Sequence, residues 1–372
     1  MQKKYRIAAI GFAHSHMSGL LKSFAQCADR IQFTACADIK PKIPSASKER
    51  GTRIHGVREA VGLYGFREYD DYEKLLDEND LDIAIVCAEN AYHPFVIEKI
   101  LFRGINVVTE KPLAASMEGA LRIARASAAS GKKVITNWPT AWHPAIREAK
   151  KIADSGGIGK IFKFCYRNSD SQGPMSYGQV ITDTEKGLEW WHQADTGGGA
   201  LLDYCCYGAC MSSWFLGRAI AAYGLKANFD SPYGSADDYA AITVRFTDSV
   251  AHLEGSWTTV NGGVPNGPLI YGTKGTIVVR KNNCVEIYRK RHADAPDETI
   301  TVDPLPENRD SIAKECFHHL DTNEPLFPML DLGVNLAAMS ILDAGIRSAR
   351  SAKMELINDK VWCTGDDQYG KN

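Results

Sequence analysis

No stretch of this chain is apolar for long enough to cross a bilayer, and no lysine or arginine run is expected to be interleaved with exposed aromatics. Its ten cysteines form no C-x-x-C pair. The first absence excludes a membrane-spanning helix. The second, with a formal net charge of only -2, removes the field that would draw in nucleic acid or an anionic membrane surface. The third argues against zinc, as does the lack of any histidine pair at i, i+4 spacing, so no metal is expected. Cys205, Cys206 and Cys210 cluster without metal-site spacing and read as small buried hydrophobes. Scattered, unevenly spaced cysteines in a chain of 372 residues are expected to be reduced thiols of a cytoplasmic protein. The opening MQKKYRIAAIG leaves no space for a secretory leader. Internal repeats and low-complexity tracts are also missing.

The length exceeds one ordinary core, which implies two domains and a cleft. Short apolar runs alternate with amphipathic stretches from the start, the pattern of β-α-β units and a parallel sheet. Strands are expected over Tyr5–Gly11, Phe33–Asp38, Leu81–Ala88, Asn106–Thr109 and Val134–Thr136, and helices through Leu20, over Phe95–Arg103 and over Met117–Ser130. Gly104 and Gly131 stop two of those helices. This gives a doubly wound Rossmann domain over residues 1–136. Residues 137–372 then form an α+β domain with a mainly antiparallel open sheet, signalled by alternating runs such as AITVRFTD and AHLEGSWTT. The long polar and aromatic segment 168–199, with Trp190, Trp191 and His192, is expected to line a pocket.

Gly11 ends the first strand and opens a helix, where a dinucleotide pyrophosphate meets free amides and the positive end of the helix dipole. Against G-x-G-x-x-G the chain reads Gly11, Phe12, Ala13, His14, Ser15, His16, which keeps one glycine of three. Asp38, at the end of the second strand, can accept hydrogen bonds from ribose hydroxyls and repels a 2'-phosphate. This favours NAD, while Lys40 and Lys42 leave NADP open.

Two further strand ends, ENAYHP from Glu89 to Pro94 and TEKPLA from Thr109 to Ala114, lie at the carboxyl edge where ligands bind in such sheets. With GGGALLDYCCYGA (197–209), TAWHP (140–144), LIYGTKGTIVV (269–279) and the closing DAGIRSARSAKMELI, they resemble the Gfo/Idh/MocA family of oxidoreductases over nearly the whole chain. The resemblance implies a sugar or polyol dehydrogenase in which Lys111 of the E-K-P motif stands near nicotinamide and substrate. It places Asp203 on the family aspartate, and Tyr207 where many members have histidine. Tyrosine there is characteristic of the branch resembling glucose-fructose oxidoreductase and dimeric dihydrodiol dehydrogenase, although Cys205 replaces the usual glycine. The junction arginine is absent, with Ala141 in its place.

Hydride transfer from a carbinol needs a partner for the hydroxyl proton, so Lys111, Asp203 and Tyr207 are the expected catalytic residues. The Lys111 ammonium is expected to lower the Tyr207 pKa. Asn90, His93 and Glu110 join the glycine loop and Asp38 as cofactor residues. Trp142, Trp191 and His192 are candidate contacts for a sugar-like substrate. The resemblance also implies a homodimer or homotetramer. A redox-neutral elimination or glycoside cleavage with internally recycled NAD is a second enzymatic version, and a non-catalytic ligand-sensing regulator on the same fold is the alternative outside enzymes.

Overall fold

The computed structural model describes residues 3–169, 173–175, 181–260, 265–292 and 294–357. Its first sheet is built from β1 (Tyr5–Phe12), β2 (Ile31–Ala37), β3 (Arg67–Tyr69), β4 (Ile83–Cys87), β5 (Asn106–Thr109) and β6 (Val134–Thr136). All pair in parallel in the order β3-β2-β1-β4-β5-β6. The connecting helices are α1 (His16–Ala25), α2 (Arg53–Tyr64), α3 (Tyr72–Glu78), α4 (His93–Phe102) and α5 (Met117–Ser130). Because helices cover both faces, β1 and β4 are almost wholly buried, which is why they read as unbroken apolar runs. Local chemistry sets the helix ends. Thr52 caps α2 by accepting from the His55 amide, Ser116 caps α5 by accepting from Gly119, and Gly131, at φ 68°, ends α5 in the left-handed region. Strand order reverses between β1 and β4, so the crevice beyond their carboxyl ends is the topological switch point.

The rest of the chain begins with α6 (Pro144–Asp154), β7 (Ile161–Asn168), α7 (Asp183–Leu188) and α8 (Cys206–Leu216). Then follow β8 (Ala219–Ala227), β9 (Tyr239–Phe246), β10 (Val250–Ser256), β11 (Leu269–Gly272), β12 (Gly275–Arg280), β13 (Cys284–Tyr288) and β14 (Glu298–Thr301). Last come α9 (Ile312–Thr322), α10 (Leu332–Ser351) and β15 (Glu355–Leu356). The nine-stranded sheet, in the order β14-β13-β12-β11-β7-β10-β9-β8-β15, is antiparallel except for the β7–β10 pair. Helices α6, α8 and α10 pack on one face. On the other face no helix packs among the described residues, and Phe162, Ile220, Tyr223, Leu225 and Leu356 are exposed. The alternating burial of β8 and β9 follows from that one-sided cover. No helix among the described residues is long and apolar enough to cross a membrane.

Candidate active site

Lys111 leaves the end of β5 on a cis Lys111–Pro112 bond and is only 2% exposed. A buried ammonium needs a partner, and it has two on one residue: Nζ donates to Asp203 Oδ1 at 2.6 Å and to the Asp203 carbonyl at 3.0 Å. Trp257 Nε1 donates to the other carboxylate oxygen at 3.2 Å. Asp203 lies in a π-helical turn, Leu201–Cys205, that runs directly into α8. The wider turn presents the Asp203 carboxylate and its carbonyl together to the lysine. Tyr207 follows on α8, and the Lys111 ammonium sits 4.8 Å from its ring centroid. These three residues line a cavity of about 390 Å³ with His14, His16, Tyr166, Trp191 and Tyr204. Sequence reasoning missed Tyr166 and Tyr204, because nothing in a strand or helix pattern says which aromatic faces a cleft.

Burial and charge oppose each other here. For Lys111, burial disfavours the ammonium, but Asp203 and then Tyr207 outweigh it and hold the pKa well above the usual lysine value. For Tyr207, burial pushes the pKa well above the usual phenol value and Lys111 offsets only part of it. The expectation that the ammonium leaves Tyr207 with a lowered pKa is therefore corrected. The desolvated hydroxyl stays protonated because a buried phenolate would lose its hydration.

Glu110, 1% exposed, anchors the same edge. It accepts from His16 Nδ1 at 3.0 Å, from the Lys111 amide at 3.1 Å and from Asn137 Nδ2 at 2.6 Å. Burial alone would raise its pKa, yet His16, Lys111 and Asn137 together hold it below the usual carboxylate value. His93 is fully buried behind the E-K-P turn, where Nδ1 meets the Pro112 and Leu113 carbonyls at 3.2 and 3.3 Å. It braces the turn that carries Lys111. Trp142 and His192 do not line the cavity. The Trp142 indole donates to Asn137 at 3.3 Å, and His192, 1% exposed, packs against Tyr233 and Trp257. Trp191 does line it.

The glycine loop is placed as expected, at the switch point, but its donors are engaged. Asp38 Oδ1 accepts the Phe12 amide at 2.8 Å, Cys87 O accepts the Ala13 amide at 2.9 Å, and His14 Nδ1 accepts the His16 amide at 3.1 Å. Gly11, at φ 76°, is required because a Cβ would lie 2.9 Å from the Ala88 nitrogen. The other Asp38 oxygen accepts from Arg53, a buried side chain that no motif or periodicity singles out. Asn90 donates its amide to Gly197 O at 2.8 Å. The part of the edge with Lys111 and Glu110 thus borders a polar open cavity. At the loop itself the Phe12, Ala13 and His16 amides are engaged within the protein, while His14 and His16 also border the open cavity.

His14, His16 and Glu110 hold ligand-type atoms within 4.8 Å of one another. Since His14 Nδ1 accepts a backbone amide, its ring proton belongs on Nε2, which leaves no lone pair for a cation.

Three buried histidines make an acid-sensitivity prediction. Burial lowers His14, His93 and His192, the last to about 4 against an ordinary 6.5. The native chain keeps them neutral while the unfolded chain takes up protons near pH 6.5. Stability is therefore complete above that pH and declines as pH falls towards 4, and His192 alone accounts for ~2 kcal/mol at pH 5. Thermal melts at pH 7.5 and 5 should differ accordingly, and His192→Gln should reduce the difference; an unchanged difference would remove His192 from this account.

A fold with a parallel dinucleotide-type sheet, and a buried lysine, aspartate and tyrosine in a cleft beside it, defines an oxidoreductase class. A model described as an oxidoreductase family with an NAD-binding Rossmann fold matches residues 23–138, and the GFO/IDH/MocA C-terminal domain matches residues 146–278. Together they cover about two thirds of the chain, which belongs to the Gfo/Idh/MocA family. The first match begins after the altered glycine loop. Among curated proteins the chain is 27% identical over 205 residues to a dTDP-3,4-didehydro-2,6-dideoxy-alpha-D-glucose 3-reductase of Actinomadura kijaniata, covering 52% of this chain and 58% of that one. It is 23% identical over 186 residues to an inositol 2-dehydrogenase of Saccharopolyspora erythraea, covering 48% and 49%. The chain thus spans about half the length of the curated relatives it matches. Its fold is similar to that of the WlbA dehydrogenase from Bordetella pertussis, solved with NADH and UDP-GlcNAcA, at TM-score 0.75 and 18% identity over 96% of this chain and 99% of that one. It is also similar to an aldose-aldose oxidoreductase from Caulobacter crescentus, at TM-score 0.73 and 18% identity over 95% and 100%.

Proposed function

We propose that this protein interconverts a secondary alcohol and a ketone on a sugar, polyol or related compound, with NAD as the hydride carrier and NADP as a weaker substitute. The observation that carries the reading is the buried Lys111–Asp203 pair held 4.8 Å from the Tyr207 ring at the wall of the 390 Å³ cavity. In the reductive direction the protonated Tyr207 hydroxyl donates to the oxygen of the forming alcohol. The Lys111 ammonium stabilises the phenolate left behind, and Asp203 keeps that ammonium charged and aimed. In the oxidative direction the same hydroxyl must first lose its proton, and Lys111 reduces the cost. Trp191, Tyr204 and Tyr166 offer aromatic surface against which a sugar ring can lie. Residues 1–136 supply the cofactor side and Lys111, and residues 137–372 supply Asp203, Tyr207 and most of the cavity wall.

Tyr207→Phe should lower turnover roughly a hundredfold or more and leave NADH affinity within about twofold. The assay follows nicotinamide absorbance against a panel of inositols, hexoses and nucleotide sugars. A variant that keeps most of the wild-type rate would show that Tyr207 is not the proton carrier. The engaged amides of the glycine loop favour a second reading, a regulator that binds a sugar without turning it over. Sugar binding by calorimetry with no turnover of any panel compound would select it.

The bare face of the nine-stranded sheet, with exposed Phe162, Ile220, Tyr223, Leu225 and Leu356, fits a homodimer or homotetramer. Tyr223→Asp combined with Leu225→Asp should shift the sedimentation coefficient to that of a monomer. The unpaired state of every described cysteine fits a cytoplasmic location.

A further inference from the structure

Dinucleotide-binding sheets hold the pyrophosphate on free amides of the loop between the first strand and helix, and the ribose on the acid ending the second strand. Here groups of the protein itself bond at both places, with the Asp38 side chain left 24% exposed. The Phe12, Ala13 and His16 amides have partners, as described, and those of His14 and Met17 reach Cys87 O at 3.4 Å and His14 O at 3.1 Å. The Arg53 guanidinium crosses the floor, joining Asp38 Oδ2 at 3.0 Å and Ile39 O at 2.9 Å to Glu89 at 2.5 Å.

Residues 188–197 lie over that floor as a roof. Trp190 Nε1 donates to Ala13 O at 2.8 Å, and the Trp191 ring meets His14 edge-on at 4.4 Å. Thr196 O accepts the Ala91 amide at 3.0 Å, and Gly197 O accepts from Asn90. Outside, Ser45 bonds Glu189 at 2.5 Å and Lys42 pairs with Asp195. Where residues 188–196 face Lys42, Ser45, Arg53 and Glu89 the cavity left is about 10 Å³, at the lower limit for one water. Yet the neighbouring nicotinamide-side cavity stays open at about 390 Å³.

We infer that residues 188–197 are a strap closing the adenosine-diphosphate half of the cofactor groove, and that a dinucleotide is admitted only after the strap lifts from the Ala13–His14 loop. The inference rests on the proposed use of NAD. The strap runs into Gly197 and Gly199, at φ 84° and 108°, where backbone can turn without a side-chain penalty. Its outer fastenings are polar and partly exposed, Lys42 at 62% and Asp195 at 54%, so they hold it only weakly against solvent competition. A closed majority state lowers apparent affinity by the open fraction, and loosening the strap raises it.

The test uses the full chain and NADH, read by energy transfer from tryptophan in stopped flow. For the wild type the observed rate should level off with NADH concentration at the rate of strap opening. Lys42→Ala with Ser45→Ala should raise that plateau and tighten NADH binding by roughly three- to tenfold. Lys42→Cys with Asp195→Cys, joined by a cleavable bis-maleimide, should lose NADH binding and regain it when the linker is cut. Each single cysteine variant treated alike lacks the Lys42–Asp195 pair and should bind NADH at least as tightly as the wild type, with no response to cutting the linker. A cross-linked protein that binds NADH at the wild-type rate and affinity would overturn the strap while leaving NAD in place. Failure of every form, the loosened one included, to bind NADH at millimolar concentration would overturn both the NAD reading and the strap.

Discussion

Lys111→Met should lower turnover by about 10³- to 10⁴-fold and destabilise the protein by ~3–5 kcal/mol, two effects with separate causes. The catalytic loss follows from removing the ammonium 4.8 Å from the Tyr207 ring, the charge that offsets part of the cost of a phenolate buried in that wall. The stability loss follows from leaving the Asp203 carboxylate with only the Trp257 indole, at 3.2 Å, in place of its 2.6 Å ion pair. Combining Lys111→Met with Asp203→Asn separates them. The double variant should recover most of the stability, because no lone charge remains, and none of the turnover. Urea unfolding and steady-state rates on all four forms complete the cycle. Equal rates in wild type and Lys111→Met would remove the lysine from the chemistry.

Gly198→Ala should be strongly destabilising. A Cβ there would lie 2.2 Å from Trp191 O and 2.6 Å from Trp190 O, and both are backbone atoms that cannot turn aside. The neighbouring glycines are needed too: a Cβ on Gly197 would lie 2.8 Å from Cβ of Asn90, and one on Gly199 would lie 2.6 Å from Asp237 Oδ1. The Gly197–Gly199 run is thus a point of close backbone passage that seats the tryptophan pair on the loop at Ala13. Overpacking of this kind costs about 3 kcal/mol, a fall in Tm on the order of 5–10 °C, with altered near-ultraviolet dichroism from the displaced indoles. A melting curve that overlays the wild type would contradict the packing described.

The E-K-P lysine, the aspartate of the glycine-rich segment and the tyrosine four residues beyond it were legible because each stands at a fixed offset from a strand end or glycine run. The parallel sheet was legible for the same reason, since β4 and β5 are buried on both faces and must be apolar throughout. Short β3, with two exposed residues of three, carries no such signal and was not expected. Arg53 was equally silent, because a lone arginine at a helix start is ordinary until two carboxylates, Asp38 and Glu89, are brought to it from other strand ends.

Sequence by itself determined the family, the two-sheet architecture and the candidates for proton transfer, all of which depend on local periodicity or short motifs. It left open whether those groups are charged and whether the cofactor groove is accessible. Only the tertiary structure decided that Tyr207 keeps its proton, since desolvation depends on what surrounds the ring. It also decided that Ala13 and His14 meet Trp190 and Trp191, since residues 188–197 lie far along the chain and contact at that separation is a property of packing.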